Sequence, residues 1–258
     1  MFKSDRFYII RAWLVHFYTS LGLLTSLGAF YYILNGNIKG MFAMIGIAMV
    51  IDSTDGTMAR AFNVKKWTPD FSGRKLDDIT DYINYAFIPL FFVIQQKMVP
   101  DGWGQVAVAF CILVAAYGFC RDAAKTDDGY FTGFPNFWNL AVFYLFIFQT
   151  SPVLNVFILL FLAANMWVPV KYVSFSTPYF RKLSAILLIP FSVLLTVIGS
   201  QIPNPSPVLS YLSLFYPIYY VGISLYLTLK KKPGLSAEVE EMDEREESED
   251  LTPLSEMI

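Results

Sequence analysis

The chain has 258 residues, of which 55% are hydrophobic, 17% aromatic and only 16% charged. A soluble domain carries about a quarter charged residues, so a water-facing surface for 29.4 kDa is not available from this composition. The formal net charge of −2 hides two opposite parts: residues 1–232 hold 18 basic against 11 acidic side chains, and ten of the 21 acids fall in the last 21 residues. These numbers describe a polytopic membrane protein whose basic body suits an anionic lipid surface, with no nucleic-acid partner expected.

Eight apolar segments follow in chain order: Ala12–Leu34, Ile38–Met58, Leu76–Ile94, Val106–Phe119, Trp138–Phe148, Val153–Val170, Leu183–Ile198 and Leu209–Leu229. A helix needs about 20 residues to cross the hydrocarbon core, and the fourth and fifth segments are short. The fifth is expected to begin near Pro135 and run into Gln149. The first follows Lys3, Arg6 and Arg11, is 23 residues long and shows no small-residue cleavage site. It therefore reads as a retained helix rather than a signal peptide. Cys111 and Cys120 share one apolar segment and read as small core residues, with neither a disulfide framework nor a zinc site implied.

With the N-terminus placed in the cytosol and the segments alternating, 17 of the 19 basic residues fall on the cytosolic side, leaving only Lys39 and Lys97 outside. That bias supports an even number of spans, eight or six, with both termini cytosolic. The expected fold is all-α: a polytopic membrane helix bundle of about eight spans over residues 1–232. Residues 233–258 are acidic, contain no aromatic side chain and read as a disordered cytosolic tail.

Chemistry concentrates where an apolar helix should carry none. Asp52-Ser-Thr-Asp55-Gly56-Thr-Met-Ala59-Arg60 is followed, twelve residues on, by Gly73-Arg-Lys-Leu-Asp77-Asp78-Ile-Thr-Asp81. Asp52 and Asp55 are spaced i,i+3 and Asp77 and Asp81 i,i+4, so each pair shares one helical face. Asp52 lies about 20 Å of helix from Lys39, and Asp81 about 24 Å from Lys97. The two pairs therefore meet at one level in the cytosolic third of the membrane. Carboxylates inside a bilayer are costly and are paired or functional. Four of them facing one another call for cations, and all-oxygen ligands suit Mg²⁺ or Mn²⁺. Gly56 and Gly73 leave room for a ligand to approach the backbone, and Arg60 offers a guanidinium for phosphate. The plainer alternative, solvated acids of the 60–75 loop, fits Asp70 and Asp78 better than Asp52 and Asp81.

These residues resemble the signature of the CDP-alcohol phosphotransferase family, D-x2-D-G-x2-A-R-x(n)-G-x3-D-x3-D, at every fixed position: Asp52, Asp55, Gly56, Ala59, Arg60, Gly73, Asp77 and Asp81. The resemblance covers about thirty residues, with a six-helix family core plus two further spans. It implies that Asp52, Asp55, Asp77 and Asp81 hold Mn²⁺ or Mg²⁺, two ions, and that Asp81 is the general base. It further implies that Gly56, Ala59, Arg60 and Gly73 hold the nucleotide and its phosphates. The twelve-residue spacing Ala61–Ser72 is longer than the eight found in many members. It looks like the bacterial branch that joins free choline to CDP-diacylglycerol. CDP-diacylglycerol, choline and membrane lipids are then the partners, and the site faces the cytosol from the bacterial inner membrane. A homodimer stays open.

Further contacts have two readings each. His16 and Thr19, i,i+3 on the first helix, are either near the nucleotide or a hydrogen-bonded interior pair. Arg121 and Lys125 either bind lipid phosphate or serve as positive-inside anchors. Choline needs aromatic faces for its quaternary ammonium. Tyr82, Tyr85, Tyr117, Phe131, Trp138 and Tyr172 are candidates, each equally a core or lipid-belt residue. Serine, glycerol phosphate and inositol phosphate stay open as acceptors. A cation transporter is the rival from another class, although the acids cluster in two segments near one face rather than lining a path.

Overall fold

A computed structural model describes residues 3–121, 131–168, 170–172 and 178–229. Its elements in order are α1 (Lys3–Leu34), α2 (Ile38–Ala61), α3 (Val64–Trp67), α4 (Gly73–Asp81), a π-helical turn (Tyr82–Phe87), α5 (Ile88–Gln95), α6 (Trp103–Phe119), β1 (Phe131–Thr132), α7 (Trp138–Ile147), α8 (Pro152–Ala164), β2 (Lys171–Tyr172), α9 (Pro178–Ser200), α10 (Pro207–Ser213) and α11 (Phe215–Leu229). The all-α membrane fold expected from composition is what forms, apart from one antiparallel ribbon pairing Phe131 with Tyr172 and Thr132 with Lys171. The acidic tail and Lys125 lie outside the described residues.

All eight expected apolar segments contain helix. Among the described residues, four are long and apolar enough to cross a membrane: Asp5–Leu34, Ile38–Ala61, Leu183–Ser200 and Pro207–Leu229. Helices α7 and α8 are shorter than the sequence suggests, with 10 and 13 residues. Asn136, at φ +57, delays the start of α7 to Trp138, whose indole N–H donates to the Asn136 side chain at 3.0 Å. The apolar run Val153–Val170 stops being helical at Ala164, and the Asn165 carbonyl accepts from the Phe134 N–H at 3.0 Å instead. Gly133, at φ +85, makes the close approach to the Met166 carbonyl that any side chain would block.

The helices group into two compact units. In the first, α1 and α2 form a hairpin turned by Gly36 at φ +69, with the Asn37 side chain capping α2 by accepting the Gly40 N–H at 2.8 Å. Phe42 of α2 packs edge-on against Phe92 of α5 and Phe143 of α7. Near the other end, Ala12, Val15 and Val64 form a buried cluster against which Met58, Ala59, Phe62 and Trp67 pack. In the second unit, Phe191 of α9 stacks on Tyr216 of α11 at 4.7 Å, and Ser184 and Tyr219 share a hydrogen bond of 3.1 Å.

The helix that carries Asp77 and Asp81 is continuous from residue 73 to 95 but changes winding immediately after Asp81. Pro89 supplies the physical reason. It has no N–H to return to the Tyr85 carbonyl, and its ring crowds that carbonyl, so the preceding turn widens. Asn84, almost fully buried, anchors the widened turn. Its amide donates to the Gly22 carbonyl of α1 at 2.9 Å and to the Thr80 carbonyl at 3.1 Å.

Candidate active site

Asp52 and Asp55 lie in the last three turns of α2, and Asp77 and Asp81 on α4. The fold brings the two pairs together, as the spacing requires of antiparallel neighbours. One carboxylate oxygen from each of Asp52, Asp55 and Asp77 lies within 4.8 Å of the other two. Asp81 lines the same cleft one turn further along α4, together with Thr19 of α1 and Tyr85. Asp55 is buried and the other three are half-buried. The carboxyls of Asp55 and Asp77 face each other within that cluster. Two anions adopt that approach only with a proton or a cation between them. An all-carboxylate set of this closeness fits a hard divalent cation.

Neighbouring groups orient the acids. The Tyr85 hydroxyl donates to Asp52 Oδ2 at 3.0 Å. The Thr19 hydroxyl donates to the Val15 carbonyl at 3.3 Å and lines the cleft beside Asp55. A hydrogen bond to a charged group is worth about 1.5–3 kcal/mol. Tyr85→Phe should therefore slow turnover roughly tenfold or more and lower the melting temperature, as measured by initial rates and a melting curve in detergent.

The remaining signature positions divide by surroundings. A Cβ on Gly56 would meet only Arg60 Nη1, at 3.6 Å, so the α2 backbone is open to a ligand there. Arg60 is exposed, and its guanidinium donates to the Thr57 hydroxyl at 3.2 Å. Ala59 is half-buried against Ala12, Val15 and Val64, where its small side chain lets α1 and α2 close. Gly73 starts α4, and a Cβ on it would stand 2.9 Å from His16 Cε1. Asp70 is exposed, and Asp78 faces Arg74 at 3.9 Å on the surface.

His16 and Thr19 are both buried, but they do not pair with each other. His16 Nε2 is 2.9 Å from the Thr68 hydroxyl. That hydroxyl gives its proton to the Val64 carbonyl at 3.0 Å, so the histidine must be the donor. Phe71 packs on the imidazole at 4.4 Å and Trp13 meets it edge-on at 5.6 Å. This clamp fixes the stretch between α3 and α4, and neither Thr68 nor Phe71 was singled out from the sequence. Tyr82 turns away from the carboxylates: its ring meets Phe119 at 6.0 Å and its hydroxyl donates to the Ile112 carbonyl at 3.4 Å. Tyr85, one of the aromatic candidates, lines the cleft. Arg121 follows the end of α6 and is half-buried.

The chain is similar to proteins named phosphatidylcholine synthase. That of Borreliella burgdorferi is 36% identical over 87% of this chain and 97% of its own length. The chain belongs to the phosphatidylcholine synthase family. Two further relatives of that name agree: the Legionella bozemanae protein is 39% identical over 70% of this chain and 86% of its own, and the Pseudomonas aeruginosa protein 29% over 86% and 93%. No family model matches the chain. Phosphatidylcholine synthases are CDP-alcohol phosphotransferases, the family whose signature the four aspartates spell here.

Proposed function

We propose that this chain transfers the phosphatidyl group of CDP-diacylglycerol to the hydroxyl of choline, releasing phosphatidylcholine and CMP. The observation that carries the reading is the convergence of Asp52, Asp55 and Asp77, within 4.8 Å, in a chain 36% identical to a phosphatidylcholine synthase over nearly its whole length. Asp52, Asp55 and Asp77 would hold the cation, with Asp81 bordering it. Mn²⁺ or Mg²⁺, as a pair of ions, would offset the charge on the pyrophosphate and on the departing CMP.

The chain's own groups do the rest. Gly56 exposes backbone to the nucleotide, and Arg60 presents a fork of N–H donors to phosphate at the cytosolic end of α2. Asp81 takes the proton of the choline hydroxyl. The oxygen then bonds to the phosphorus bearing diacylglycerol, in line with the P–O bond to CMP that breaks. Tyr85 holds Asp52 in place. Eight crossings with both termini inside, in the bacterial inner membrane, would open the site to the cytosol, a topology supported by the positive-inside bias.

A panel of alcohols tests the acceptor. A trimethylammonium group is held by aromatic faces without N–H bonds, so choline should react well. Ethanolamine, more strongly hydrated, should react poorly, and serine, whose carboxylate has no assigned partner, should fail. The measurement is CMP release by the purified protein with CDP-diacylglycerol at equal acceptor concentrations. Faster turnover with serine or glycerol phosphate would overturn the choline reading and leave the carboxylate site standing. Cation uptake into vesicles without CMP release would overturn both.

A further inference from the structure

Among the described residues, Arg11 has no counter-anion. Its Nε atom is buried and has no hydrogen-bond partner, and among the described residues no acid forms an ion pair with it. Aromatic faces surround the guanidinium instead: Phe62 at 4.5 Å, Tyr8 at 5.0 Å and Phe7 at 6.0 Å. Tyr8 stacks on Trp67 of α3 at 4.8 Å, and Lys66 Nζ stands over that indole at 5.1 Å. Ring faces stabilise a cation but are weak N–H acceptors, so the buried Nε–H is left to be answered.

The geometry points to a binding site for the phosphate of an anionic bilayer phospholipid, held by Arg11 between α1 and α3 at the cytosolic membrane edge. Two observations favour a lipid over the phosphates of the nucleotide substrate. Arg11 is eight residues before Thr19, which lines the carboxylate cleft, so about 12 Å of helix separates it from the carboxylates. Phe62 is seven residues beyond Asp55, about 10 Å in the same sense. A pyrophosphate placed at the aspartates does not span that distance. The second observation is what borders the site. Phe7, Ile10 and Leu14, on the same turns of α1, are 62%, 60% and 60% exposed, an apolar strip open to acyl chains. A headgroup phosphate at Arg11 would place its chains along this strip. Arg6, Lys65 and Lys66 are exposed around it and favour a net-negative headgroup over a zwitterionic one.

The test uses the full chain in neutral detergent, with phosphatidylglycerol, phosphatidylcholine and CDP as separate probes. Native mass spectrometry should show phosphatidylglycerol retained in preference to phosphatidylcholine. Arg11→Gln should weaken that preference roughly fivefold or more while leaving CDP binding and turnover in lipid-free detergent unchanged. Equal retention by wild type and variant would overturn the site. So would a loss of CDP affinity with lipid retention intact, which would hand the phosphate to the nucleotide. Should Arg11→Gln fail to insert, a photoactivatable phosphatidylglycerol on the wild type decides the matter. Label on residues 6–14 or 62–67 supports the site, and label confined elsewhere rejects it.

Discussion

Asp81→Asn should lower turnover by on the order of 10²–10⁴-fold, the range over which a positioned base contributes, and should leave much of the Mn²⁺ affinity in place. Asp77→Asn should lose both. The difference follows from the geometry. Asp52, Asp55 and Asp77 close to within 4.8 Å, whereas Asp81 lines the cleft beside that cluster. An Asn at 77 keeps one oxygen and removes the charge that draws a hard cation. Asp52→Asn and Asp55→Asn should behave like Asp77→Asn. Asp78→Asn should be mild, since Asp78 faces Arg74 on the surface. Manganese binding followed by electron paramagnetic resonance, alongside CMP release, separates the two classes. Excess chelator should abolish turnover in the wild type, and activity that persists in it sinks the carboxylate assignment.

The convergence of α2 and α4 was legible because two independent constraints agree. Spacing of i,i+3 and i,i+4 puts each acid pair on one face, and the distances from Lys39 and Lys97 set both pairs at one depth. What lay outside the sequence pattern is contact between segments that share no period. Thr68 meets His16 across 52 residues, from a loop with no helical repeat to announce it. The π turn after Asp81 needed Pro89 to be read as a defect at the Tyr85 carbonyl, four residues upstream of it, rather than as an ordinary span residue. Asn84 was not singled out from the sequence, and its partner, the Gly22 carbonyl, belongs to another helix. Apolar runs also announced helices without their ends. Beyond Ala164 the Asn165 carbonyl is bonded to Phe134, and hydropathy registers no such competition.

Gly73→Ala should lower turnover on the order of 10²-fold, the cost of a misplacement near 1 Å at a reacting centre, and the reason is the histidine. A Cβ there would lie 2.9 Å from His16 Cε1 and 3.2 Å from Nδ1. A flexible side chain would swing aside. This imidazole is held by Thr68 at 2.9 Å and wedged by Phe71 and Trp13, so the start of α4 must move instead. Asp77 and Asp81 are one and two turns along that helix, and the shift carries them away from Asp52 and Asp55. The signature glycine has a second explanation, access of the nucleotide phosphates to the backbone, and the two separate in a double variant. If packing dominates, His16→Ala removes the obstacle, and the His16→Ala/Gly73→Ala protein should turn over faster than Gly73→Ala alone, a coupling of opposite sign to simple additivity. If phosphate access dominates, the double variant should be no better than the single one and the KM for CDP-diacylglycerol should stay raised. Rates and KM values for the four proteins of the cycle decide which neighbour forbids a side chain at position 73.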